Sequence, residues 1–149
     1  MKPRNRPKIR KRQEAARKSV NPAKRWSELG SLQAKSFQET QLLLAELEAR
    51  TPAIEVKVNA KTISKKETLD FLDLRKRFLK NSMNGWLIQD EMAGLLSDAA
   101  AMQAAKAKAL QALSRRRHLL ELVEKAEVRI TAGEDISTVL TEMQEEYAA

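Results

Sequence analysis

The spacing of apolar and polar positions changes several times along this 149-residue chain. Ser27 stands where a helix cap is expected, ahead of a helix predicted to run to about Arg50, with Leu29, Leu32, Phe37, Leu44 and Leu47 only loosely spaced for a single face. Thr51-Pro52 predicts its end, because the residue before a proline is pushed out of helical geometry. Beyond it Ile54, Val56 and Val58 alternate with Glu55, Lys57 and Asn59, a period of two that predicts a short extended segment over 54–58. A lone strand leaves its backbone groups without partners. Two readings stand: a loop that lays its three apolar side chains on a helix, or a strand that pairs with another chain.

Ser64 and Glu67 have the spacing of a capping box and predict the next helix start. Leu69, Phe71, Leu72, Leu74, Phe78 and Leu79 give that helix a wide apolar stripe, and Asn81 to Gly85 is expected to end it. Arg75, Lys76, Arg77 and Lys80 crowd its last turns, where cations suit the negative end of the dipole. From Gln89 to about Thr131 there is no proline and only Gly94, which predicts one long helix, or two with a joint near Ser114. Met92, Leu95, Ala99, Met102, Ala109, Leu113, Leu120, Val123 and Ile130 approach a heptad stripe of coiled-coil type, interrupted by Lys106 and Arg116. Alanines at 99–101, 104, 105, 107, 109 and 112 would let a neighbouring helix approach closely. Gly133 predicts the stop of this helix and Asp135 the start of a last one, along which Ile136, Val139, Leu140, Met143 and Tyr147 recur at helical spacing.

The fold class is therefore all-α: an elongated helical hairpin or bundle with one long alanine-rich helix. It divides into an arm over 1–26, a helical oligomerisation domain over 27–132, and a C-terminal amphipathic helix over 133–149. The last is acidic, with Glu134, Asp135, Glu142, Glu145 and Glu146 and no base after Arg129.

Charge sharpens this division. The chain has a formal net charge of +8, yet residues 1–25 hold eleven bases against the single acid Glu14, so the remainder carries a small acidic excess. The first 25 residues also contain three of the four prolines and little that is apolar before Trp26, so they cannot bury enough surface to offset the entropy of ordering. The arm is expected to be disordered when free. No apolar run follows it as a secretory signal would require, and none approaches the roughly 18 apolar residues of a membrane span. Absence of cysteine suits a reducing compartment. The expectation is a soluble, cytoplasmic protein that does not act on a membrane.

Candidate chemistry is sparse. His118 is the only histidine and sits beside Arg115, Arg116 and Arg117; the glycines are too scattered for a phosphate-cradling loop; Asp70, Asp73, Asp90, Glu91 and Asp98 need not converge. No catalytic residue, metal or cofactor is expected. A cationic arm that meets a polyphosphate releases condensed counterions, which predicts nucleic-acid binding through Arg4, Arg6, Lys8, Arg10, Lys11, Arg12, Arg17, Lys18, Lys24 and Arg25, extended by Arg115, Arg116 and Arg117. Ile136, Val139, Leu140, Met143 and Tyr147 are expected to dock a protein partner.

Two resemblances bear on the partner. The stretch RKRQEAARKSVNP is similar to the arginine-rich RNA-binding peptides of phage antitermination proteins, which implies RNA. NGWLIQDEMAGLLSDAAAMQAAKAKALQALSRRRHLLELV resembles the C-terminal half of phage small terminase subunits, through Gly85, Leu87, Ile88, Asp90, Glu91, Ala109, Leu110, Ala112 and Leu113 ahead of Arg115. Ser114 stands where that family often has proline, and no helix-turn-helix precedes the segment. This second resemblance implies a DNA-packaging subunit, a homo-oligomer in the host cytoplasm, with DNA favoured over RNA and the arm supplying the contact. Two rivals remain: a scaffolding protein of a virion or other assembly whose arm grips an acidic protein surface, and an arginine-rich RNA-binding transcription regulator.

Overall fold

The computed structural model of the chain describes residues 21–149, so the expectation of a disordered arm falls, for residues 1–20, outside the described residues. Four helices follow one another: α1 (Pro22–Asn59), α2 (Lys65–Ala93), α3 (Ala99–Thr131) and α4 (Ile136–Ala148). The all-α expectation holds, and among the described residues there is no strand. Each helix begins at a short polar side chain that accepts from an amide otherwise left without a partner. Asn21 accepts from Ala23 at 3.0 Å with Pro22 as the first helical residue, Asp98 from Ala101 at 2.8 Å, and Asp135 from Thr138 at 3.0 Å. Ser64 and Glu67 form the expected capping box.

Short connections make successive helices antiparallel. Arg25 meets Glu91, Asn81 meets Ser36 and Lys57 meets Glu67 along α1 and α2, while Lys65 reaches Thr131, Lys76 pairs with Glu127 and Lys106 with Asp90 along α2 and α3. α2 is the middle helix, and α4 folds back along α3, with Arg129 on Glu142 and Arg115 on the Tyr147 carbonyl.

The core is uneven along the bundle. At the end where α4 docks, Leu72, Leu79, Leu122, Val123, Ile130 and Val139 bury branched side chains together, with Leu47, Phe71 and Leu74 in a second cluster between α1 and α2. At the opposite end the buried residues are fewer and, Leu29 apart, smaller: Ser36, Ala93 and Ala109. There α1 and α2 are tied by polar contacts. Asn81 Nδ2 donates to the Ser36 carbonyl at 2.9 Å and to Thr40 Oγ1 at 2.8 Å, and Gly85 lets the helices close, since a Cβ there would lie 3.2 Å from Ser36 Oγ.

Several boundaries differ from expectation for physical reasons. Residues 54–58 are helical, not extended: Ile54 and Val58 are one turn apart and pack on the two core clusters, while Val56 is 67% exposed on another face. Three alternating residues fit a strand or two helical neighbours plus an outlier equally well. Pro52 lies inside α1; its ring forfeits one backbone hydrogen bond, but packing on both sides of it carries the helix through, and Thr51 Oγ1 donates to the Leu47 carbonyl at 2.7 Å. The cap is Asn21 rather than Ser27, so Lys24, Arg25 and Trp26 are helical and residues 21–26 do not belong to a disordered arm. α2 continues past Asn81–Gly85 to Ala93, because Asn81 and Gly85 serve the contact with α1. The break comes at Gly94–Asp98, and α3 runs without interruption through Ser114.

Candidate docking groove and its basic flank

One face of each long helix points to the same side of the layer. On α1 the stripe runs Trp26, Gln33, Phe37, Thr40, Leu44, Thr51, Ile54, Val58; on α2 it runs Phe71, Arg75, Phe78, Ser82, Gly85, Gln89, Met92; the spacings are those of a heptad seam. On α3 it includes Ala105, Lys108 and Arg116 and continues into Leu119, Val123 and Ala126. Such a seam is the inner face of a four-helix bundle. In the lower half α4 supplies the fourth helix. The upper half, between α1 and α3 over α2, is an open groove of about 680 Å³ lined by Trp26, Phe37, Phe78, Trp86, Met92 and Leu96, among others. Phe37 is 60% exposed and Trp26 43% exposed beside it.

Arginines mark the junction between filled and open halves. Arg116 Nε donates to Ser82 Oγ at 2.6 Å, one amino group reaches the Ala112 carbonyl at 3.1 Å, and the guanidinium lies 5.3 Å from the Trp86 ring centroid. Arg75 is held between the rings of Phe71 and Tyr147, at 5.2 and 4.9 Å, an arrangement in which ring quadrupoles stand in for a counter-ion. Its Nη1 is buried with no hydrogen-bond partner. Burial pushes the pKa of both guanidiniums below the ordinary arginine value. Neither forms an ion pair among the described residues.

The sequence-predicted binding residues scatter across this frame. Arg4, Arg6, Lys8, Arg10, Lys11, Arg12, Arg17 and Lys18 lie outside the described residues. Lys24 is exposed on the first turn of α1, next to Arg25, which is engaged by Glu91 at 2.5 Å and Glu28 at 3.6 Å; the hydrogen bond to Glu91 raises its pKa. Arg115, Arg116 and Arg117 do not form one track: Arg115 donates to the Tyr147 carbonyl at the end of α4, Arg116 turns into the groove foot, and Arg117 is exposed elsewhere. Asp73, Asp90 and Glu91 pair with Arg77, Lys106 and Arg25, and Asp98 caps α3. Among the described residues no three metal-ligating side chains come together.

The expected partner surface on α4 is corrected. Val139, Leu140 and Met143 are buried in the chain's own core and Ile136 and Tyr147 pack on it, because the apolar seam left open by α1, α2 and α3 is the nearest surface they can cover. Trp26, Trp86 and Lys108 are groove residues that the sequence reading did not single out, and it placed Phe37 only among the loosely spaced apolar positions of α1. The signal was the loose spacing on α1: its apolar residues serve two faces, Leu29, Leu43 and Leu47 toward α2 and the Trp26–Leu44 stripe toward the groove.

No helix among the described residues is long and apolar enough to cross a membrane. The chain matches no protein-family model, and no curated protein and no solved structure is significantly similar to it.

Proposed function

We propose that the protein is a non-enzymatic nucleic-acid-binding protein whose first 25 residues grip the phosphate backbone. The observation that carries this reading is the segregation of charge. Eleven bases against one acid occupy residues 1–25, while residues 26–149 have a slight acidic excess and spend many of their cations internally: Arg50 on Glu46, Lys76 on Glu127, Lys106 on Asp90, Arg129 on Glu134 and Glu142. The segment joins α1 at the open end of the bundle, so a bound polyanion would lie beside the groove. The resemblance of residues 85–123 to small terminase subunits favours DNA, phage packaging as the setting, and homo-oligomers assembled through residues 89–131.

A mobility-shift titration on duplex DNA and on RNA, with the full chain and with a chain lacking residues 1–20, tests the proposal. If six to ten cations engage phosphates, affinity of the full chain should fall by roughly a thousandfold or more between about 50 and 200 mM salt. The shortened chain should bind weakly at either salt. Equal, salt-insensitive binding by both chains overturns it, and so does a full chain that binds no nucleic acid but assembles on an acidic protein surface.

A further inference from the structure

The half-empty fourth position of the bundle supports an inference independent of the arm. We propose that the open groove is the docking site for an acidic amphipathic helix of a partner protein. Its shape is that of a missing helix: the heptad-spaced seam that holds α4 continues upward, and small residues, Ser82 and Gly85, line its floor. From Ala105 to Arg116 the α3 wall spans about 17 Å, or three helical turns.

Its charge selects the occupant. α3 carries no acid between Asp98 and Glu121, and neither Lys108 nor Arg116, which line the groove, pairs with a carboxylate among the described residues. The filled half shows the chemistry already in use: α4 has no basic residue, seats its apolar stripe on the seam, and is gripped from α3 by Arg129 on Glu142 and Arg115 on the Tyr147 carbonyl. The same complement one step up the seam is an apolar stripe flanked by carboxylates. The basic N-terminal segment has the wrong sign to lie against Lys108 and Arg116. The acidic amphipathic helix of a second copy, α4, has its stripe already buried.

Both tryptophans of the chain line this groove, so their emission reports its occupancy. The probe is a synthetic peptide with the sequence of residues 134–149, titrated into the full chain, beside a version with lysine at every acidic position. The acidic peptide should shift tryptophan emission to shorter wavelength and saturate; the lysine version should not. Phe37→Asp and Lys108→Glu, both exposed positions whose change leaves the core intact, should each weaken binding at least tenfold. No shift with the acidic peptide overturns the proposal, as does an equal shift with both peptides, a shift only with a single-stranded oligonucleotide, or a groove occluded by self-association in sedimentation. Removing residues 1–20 should leave the peptide response intact, which separates this outcome from that of the DNA titration.

Discussion

Gly133 closes α3 at φ 95°, a left-handed conformation that lets its amide reach the Ile130 carbonyl at 3.1 Å and the Glu134 amide reach the Arg129 carbonyl at 3.1 Å. A Cβ would meet no neighbouring atom there, so the cost of alanine is purely conformational. Gly133→Ala should destabilise the protein by about 1 kcal/mol, seen as a lower urea midpoint with an unchanged slope. This stop, the capping box at Ser64 and Glu67 and the Asp135 cap were all legible in the sequence, because a cap is settled within a few residues of chain. Pro52 was not, because its tolerance is decided by Leu47, Ile54 and Phe71, which the linear sequence does not bring together.

At the level of elements, the start of α2 is built on a carboxylate. Glu67 accepts from Lys57 and from Ser64, and these bonds, the first being the stronger, hold its pKa below the usual range; Asp135 is held down in the same way by the Thr138 hydroxyl and amide at the start of α4. A carboxyl group with a depressed folded pKa lends stability that is fully present above the unfolded value and lost as pH falls through the folded one. The thermal midpoint followed by circular dichroism should therefore drop as pH is lowered from about 5 to about 2, and Glu67→Gln should lower the midpoint at neutral pH and flatten that drop. Element boundaries were harder to read than element types. Asn81 and Gly85 look like a helix stop until α1 is beside them, when one becomes a cross-helix donor and the other a point of close approach.

Taken whole, the molecule has two unlike ends. The helical class and the acidic last helix could be read from the sequence, yet the groove could not. It needs Trp26, Trp86 and Arg116, spread over 90 residues, to meet on one side of a layer, and it needs α4 to be too short to cover them. The seam also changes character along its length, from buried Leu, Ile and Val around α4 to small and polar residues between half-exposed aromatic side chains at the open end. Burial of branched apolar surface sets the local resistance to opening, so the helices should loosen from one end. Amide hydrogens of residues 26–40 and 86–108 should exchange with solvent faster than those of residues 68–80 and 119–131 in a native-state deuterium experiment. The place left free for a visitor is thus also the softest part of the protein, and whatever settles there will stiffen its host as it binds.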